Sequence, residues 1–187
     1  MASRQELWWR DVYRLSPMKM EEAFSRLDES EDAWFYERDR FVSHLDRAAL
    51  DTVRDWIGRL VFEEAPAVLD LMASWDSHLP ETARRGRVVG LGLNRNELQA
   101  NPALTGYVVH DLNRDPRLPF DDKTFDVVLN TVSVDYLTRP IEVFAEAGRV
   151  LKPVGLLLVV FSNRMFEQKA VKVWREAGEE ERHRREV

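Results

Sequence analysis

The chain has 187 residues, 44% of them hydrophobic and 32% charged, and a formal net charge of −6. That length suffices for one domain with a substantial core, while the acidic balance argues against a general grip on nucleic acid, which needs a basic face. With no cysteine present, disulfides, thiolate metal sites and thiol nucleophiles are excluded.

Residues 1–14, MASRQELWWRDVYR, carry charges throughout and no apolar signal core. The longest apolar run, VGLLLVVF at Val154–Phe161, is too short to span a bilayer. The expectation is a cytoplasmic protein with no membrane segment. Residues 1–64 contain no strand-like run. Leu7, Trp8, Val12 and Leu15 recur near helical spacing, as do Met20, Ala23, Phe24 and Leu27. Leu50, Val53, Ile57 and Leu60-Val61 repeat the pattern behind Asp46, which suits an N-cap. Between these helices lies WFYERDRFVSHLD, Trp34 to Asp46. It reads either as a helix-packing surface or as a lid over a pocket.

After Pro66 short apolar, β-branched runs alternate with polar or helical segments: AVLDL, RVVGLGL, GYVVHDL, FDVVLNTVS and GLLLVVFS. Near-continuous apolar strands separated by helices indicate a parallel sheet covered on both faces. Asn94, with Glu97 three residues later, predicts a capped helix to about Asn101, stopped by Pro102. Pro140 suits the first turn of a helix with Ile141, Phe144, Gly148 and Leu151 on one face. Gly148 costs about 1 kcal/mol there against alanine, and a close helix–sheet approach would account for it. A last helix, from Met165 onward, puts Phe166, Ala170, Val173, Trp174 and Ala177 on one stripe and dissolves into a solvated tail. The predicted fold is α/β: a Rossmann-like doubly wound sheet of about five parallel strands in the order 3-2-1-4-5. A helical segment, residues 1–64, precedes a sheet domain, residues 65–187.

In such sheets ligands bind outside the carboxyl ends of the strands, beside the first one. Asp70 ends the first strand amid apolar neighbours and needs donors, from the following loop or from a ligand. That loop, Met72 to His78, contains no glycine. Gly90 and Gly92 flatten the end of the second strand, where Asn94 can cap the helix or offer its amide to a ligand. The GLGLNRN string follows the second strand rather than the first and lacks a third glycine, so it is no dinucleotide fingerprint. Asp111 ends the third strand, beside the apolar wall Leu118-Pro119-Phe120; an acceptor next to an apolar slot suits an amino-bearing planar ring. Asn130, Ser133, Asp135 and Tyr136 follow the fourth strand. Candidates for a general base are His44, His78, Asp135 and Tyr136. The four histidines, at 44, 78, 110 and 183, are scattered without metal-ligand spacing, so no metal site is expected.

VLDL, VVGLGLNRNEL, HDLNRDPRLPFDDKTFDVVLNTVSVDYLTRP and EVFAEAGRVLKPVGLLLVVFSNR together resemble class I S-adenosylmethionine-dependent methyltransferases of the small-molecule, type 11 kind. The resemblance runs from about Ala65 to Arg164. It implies S-adenosylmethionine as cofactor, with Asp70, Met72 and Ser74 in the cofactor loop and Asp70 near the methionine part. It also implies that Asp111 accepts from the adenine amino group, with Leu112 and Phe120 near the ring. Asn130 to Ser133 would face the sulfonium, and the N-terminal segment would be the lid that chooses the acceptor. Four departures stand out. Met72, Ser74 and Asp76 replace loop glycines. Gly92 replaces the acid that holds the ribose, with Asn94 as a neutral stand-in. Pro153-Val154-Gly155 replaces a Pro-Gly-Gly turn. The expectation is that the two strands that usually follow the last helix do not form, which would leave the fifth strand as an edge open to a homodimer or another partner. Phe41-Val42-Ser43-His44-Leu45-Asp46 and the VLDLM-x-SW-x-SHLP loop together resemble a subgroup with its own glycine-poor loop.

Two readings of function follow. One is a methyltransferase acting on a small-molecule acceptor; the other is a methyltransferase-like binding or assembly module without catalysis. A dinucleotide-dependent oxidoreductase is disfavoured by the missing glycine fingerprint.

Overall fold

The computed structural model describes residues 19–43, 45–61, 64–84 and 86–183. Five strands form one sheet: β1 (Val68–Leu71), β2 (Val88–Gly92), β3 (Gly106–Val109), β4 (Phe125–Thr131) and β5 (Leu151–Val160). Their order is β3-β2-β1-β4-β5, and every pairing is parallel. This is the predicted doubly wound sheet. β1 lies at its centre, wholly buried, with Asp70 beside Gly90 of β2 and Leu129 of β4.

The pleat sends alternate residues to opposite faces, so each face builds its own core. On one face Val68, Val88, Val127 and Leu129 meet Leu50, Val53 and Ile57 of α3 (Arg47–Leu60). On the other, Leu69, Leu71, Leu91 and Val128 meet Val143, Ala147 and Val150 of α5 (Pro140–Val150). Each such side chain contributes roughly 1.5–3 kcal/mol by leaving water. The cap on α3 forms as its sequence requires: the Asp46 carboxylate accepts from the Ala49 N–H at 2.9 Å.

α5 departs from expectation. Its buried stripe is Val143, Ala147 and Val150, while Ile141 is exposed. A Cβ built on Gly148 would meet nothing within 4 Å, so no close helix–sheet approach explains that glycine. The last helix also starts later than its periodicity suggests, at Lys172 rather than Met165: α6 spans Lys172–His183. Ala170 and Val171 are buried ahead of it in the connecting turn.

The predicted helices over Leu7–Leu15 lie outside the described residues. Of the next predicted helix, only one turn forms, α1 (Met20–Ala23), followed by α2 (Asp32–Phe35). Residues 19–43 otherwise run as turns laid across the sheet's carboxyl end, fastened by hydrogen bonds rather than by an apolar stripe. Asp28 N–H donates to Gln168 O at 2.9 Å and Lys172 N–H to Ser25 O at 2.8 Å. Beneath them Asp32, 5% exposed, receives Arg26 at 2.7 and 2.9 Å, Lys169 at 3.2 Å and Asn113 at 2.8 Å. Lys169 is fully buried and also donates to Ser30 O at 2.7 Å. Removing one partner from such a cluster leaves a buried charge unpaired, a loss of about 3–5 kcal/mol.

Candidate functional site

Between residues 19–43 and the carboxyl ends of β1, β2 and β4 lies a cleft of about 340 Å³, within the range of small-molecule sites. It sits at the switch point of the sheet, where the strand order reverses.

The loop after β1 reaches left-handed backbone without glycine. Met72 has φ 59° and His78 φ 54°, both in the region that side chains resist. The surroundings hold the loop there. Ala73 N–H donates to Leu91 O at 2.9 Å. The Asn101 amide donates to Ser74 O at 2.8 Å and Ser77 Oγ at 2.9 Å. The Asp76 carboxylate accepts from the His78 N–H at 2.8 Å. Gly92 completes the fit, because a Cβ there would stand 2.2 Å from the Ala73 carbonyl oxygen. The absence of an acid at this position is therefore a packing requirement: no side chain fits while the loop lies against β2.

Asp70 is 3% exposed at the base of the loop. Burial pushes its carboxyl up to about 7, against smaller lowering contributions from the Ser77 hydroxyl and the His78 imidazole. The His78 Nδ1 stands 3.1 Å from Asp76 Oδ2, and Arg54 of α3 reaches the same oxygen at 3.2 Å. Hydrogen bonds from His78, with a lesser contribution from Arg54, hold the Asp76 carboxyl down to about 2.

On the β2 side, Asn94 caps α4 (Arg95–Ala100), its Oδ1 accepting from Glu97 N–H at 3.0 Å. Its amide nitrogen donates to Tyr36 O at 3.0 Å and Asp39 Oδ1 at 2.9 Å, so both ends of Asn94 bind protein. Glu97 does not complete the capping box. Its Oε1 accepts from Arg40 N–H at 2.6 Å and its Oε2 from Ser74 Oγ at 2.6 Å, joining the N-terminal segment to the β1 loop. Glu97 and Asn101 were missed as site residues. The signal was present: Asn94, Glu97 and Asn101 form a polar stripe at helical spacing where an apolar one is expected.

On the β3 side, Asp111 Oδ1 accepts from Asn113 N–H at 2.9 Å and Arg114 N–H at 3.2 Å. Its Oδ2 makes no hydrogen bond among the described residues, and Leu112 and Asn113 share the wall. After β4, Thr131, Val132 and Ser133 line the cleft. The Thr131 and Ser133 hydroxyls are buried without partners, and Val132 takes φ 48°.

Of the sequence-predicted site residues, Asp70, Met72, Ser74 and Gly92 line the cleft, as do Asn94, Asp111, Leu112 and Ser133. His78 and Tyr136 line it too. Asn130 and Asp135 do not. Asn130 is fully buried, two residues beyond Val128 on the strand face that builds the α5-side core, with both amide atoms unpaired. Asp135 lies in a buried turn after β4, where burial pushes its carboxyl up to about 6. The Tyr136 hydroxyl accepts from Phe166 N–H at 2.9 Å. His44 lies outside the described residues. From the N-terminal segment, Tyr36, Arg40, Val42 and Ser43 close the roof. Buried beside Tyr136, Asp32 and Asp135, the Tyr36 phenol is pushed well above its ordinary value.

The residues suit the cofactor that the sequence resemblance implies. An acidic oxygen without a partner among the described residues stands beside Leu112, whereas Leu118 and Phe120, expected as the ring's apolar wall, pack into the α5-side core instead; two unpaired buried hydroxyls border the cleft, and Gly92 lets the loop close over the β2 end. No helix among the described residues is long and apolar enough to cross a membrane.

A family model described as a methyltransferase domain matches residues 70–159. A stretch of 43 residues, 23% of this chain, is 51% identical to the ubiquinone/menaquinone biosynthesis C-methyltransferase UbiE of Ruegeria sp. (strain TM1040), of which it spans 17%. Among solved structures, the PH0226 protein from Pyrococcus horikoshii OT3 is 24% identical with a TM-score of 0.50, over 63% of this chain and 58% of that one. The 4+2 cyclase SpnF is 18% identical with a TM-score of 0.50, over 64% of this chain and 48% of that one. The chain thus spans only part of the length of each of these relatives.

Proposed function

We propose that the chain, whose residues 70–159 match a methyltransferase-domain model on a five-stranded parallel sheet, is an S-adenosylmethionine-dependent methyltransferase acting on a small-molecule acceptor held under residues 19–43. The observation that carries this reading is the cleft itself. It lies at the sheet's switch point, roofed by Tyr36, Arg40 and Val42 and floored by the glycine-free loop. When bound, S-adenosylmethionine supplies an electrophilic methyl group on a sulfonium, so most of the protein's work is positioning.

Asp111 would accept from the adenine amino group, with Leu112 against the ring. Met72, Ser74 and the loop amides would hold the methionine part above Asp70. Thr131 and Ser133 would turn their hydroxyls to the same end. Among the base candidates within the described residues, His78 comes nearest to the arrangement of one: it lines the cleft and its Nδ1 stands 3.1 Å from Asp76 Oδ2. Tyr136 has its hydroxyl engaged by Phe166, and Asp135 stands behind the wall. The split into a lid, residues 1–64, and a cofactor domain, residues 65–187, belongs to this proposal, as does a cytoplasmic setting.

A second reading is a binding module without catalysis. It is favoured by Gly92, which admits no ribose-holding acid, and by Asn94, whose amide is spent on Tyr36 and Asp39. Calorimetric titration with S-adenosylmethionine and S-adenosylhomocysteine separates the two. The first reading expects micromolar binding, weakened about tenfold or more by Asp111→Ala in protein that remains folded. No binding up to millimolar by folded protein would remove the enzyme reading.

A further inference from the structure

The roof of the cleft carries a cation that no described carboxylate pairs. Arg40 lines the cavity, and no carboxylate among the described residues lies within ion-pair distance of its guanidinium. The group is held instead by neutral contacts. Its Nη2 donates to Phe35 O at 2.7 Å and its Nη1 to Arg38 O at 3.2 Å. The guanidinium carbon stands 4.6 Å from the Phe35 ring centroid, 5.6 Å from Tyr36 and 5.5 Å from Phe166. Those rings pack on one another and on Tyr136. Two backbone acceptors leave donor capacity in the five-donor fork, and partial burial among aromatic rings strengthens the attraction for an anion.

Three carboxylates of the segment and of α4 are engaged elsewhere. Asp32 is taken by Arg26, Lys169 and Asn113; Glu97 by the Arg40 main chain and Ser74; Asp39 by Asn94 and Asn96. Arg40 is thus a preformed, aromatic-walled anion position. It stands over the side of the cleft where Tyr136 and Phe166 follow β4 and β5.

We propose that Arg40 receives the carboxylate of the acceptor, and that the acceptor is an acidic small molecule with a flat apolar body lying against Phe166, Tyr36 and Tyr136. The proposal rests on the methyltransferase reading for the word acceptor, but not for the anion site itself.

The test uses 3-phenylpropanoate and its uncharged amide, 3-phenylpropanamide, titrated into the full chain with and without S-adenosylhomocysteine. Wild type is expected to bind the acid about tenfold or more tightly than the amide. Arg40→Gln should bring that ratio near one, and Arg40→Lys should restore part of it. A role confined to bracing the 35–40 turn would lower binding of acid and amide together and leave their ratio intact. S-adenosylhomocysteine affinity should be the same in wild type and Arg40→Gln. If it falls while affinity for 5′-methylthioadenosine, which lacks the carboxylate, does not, then Arg40 holds the cofactor's own carboxylate and the proposal is overturned. Equal binding of acid and amide by wild type, or no binding of the acid, also overturns it. Discrimination that persists without any S-adenosylhomocysteine binding sustains the anion site and sinks the methyltransferase reading alone.

Discussion

Asp70 shows how one side chain trades stability for a site. Its carboxyl titrates near 3.8 when unfolded and about 7 in the native protein, because burial disfavours its charge. Between those values the native state keeps a proton that the unfolded chain has released. Stability from this group therefore declines as pH rises from about 4 to about 7. Above that window the full cost, about 4 kcal/mol, stands. Asp70→Asn keeps the shape and an oxygen for Ser77 but removes the charge. It is expected to stabilise the protein by about 2–4 kcal/mol near pH 8 and by almost nothing near pH 4, in urea unfolding at each pH. An equal effect at both would show that the carboxyl is not carrying a buried charge. A residue kept at that cost suits a ligand that supplies the missing donors.

Among the elements, β5 carries its own strain. Val154 is fully exposed with φ 61°, at the irregular start of β5, where the type 11 resemblance expects a glycine turn before the strand. A left-handed β-branched residue costs about 1–2 kcal/mol, and glycine returns part of that as lost chain entropy. Val154→Gly should therefore raise stability by about 0.5–1 kcal/mol and the melting temperature by about 1–4 °C, read by calorimetry. A fall would mean that the β4–β5 register needs the side chain.

The strands and their order were legible because a strand buried on both faces leaves an unbroken apolar run, as VLDL and FDVVL do. The caps at Asp46 and Asn94 were legible because their chemistry is local. The buried face of α5 was not. Ile141 and Phe144 look as apolar as Val143 and Ala147, and only the sheet decides between the two stripes. The place of the cleft-lining loop could be read from where β1 ends, but its closure could not. That closure depends on Glu97 and Asn101, residues distant in sequence whose partners appear only after folding.

At the scale of the molecule, residues 19–43 behave as part of the core's charge balance as well as a roof. Asp32→Ala would strand Lys169 and Arg26, and a loss of about 3 kcal/mol is expected in urea unfolding. Faster amide exchange over residues 25–36 should accompany it. A loss below about 1 kcal/mol would mean that Asp28 and Ser30 satisfy Lys169 unaided. The bonds that seat this segment join residues far apart in sequence: Asp28 to Gln168, Ser25 to Lys172, Asp32 to Lys169. Such separations make the contact slow to form and late. On the ribosome, where the amino end emerges first, residues 19–43 must wait outside the tunnel, with Asp32 and Arg26 hydrated, until residue 172 has been added and has cleared the exit. The roof of the cleft is translated before the sheet it covers and seated after it, so the nascent chain can hold a nearly finished sheet while still lacking an enclosed pocket.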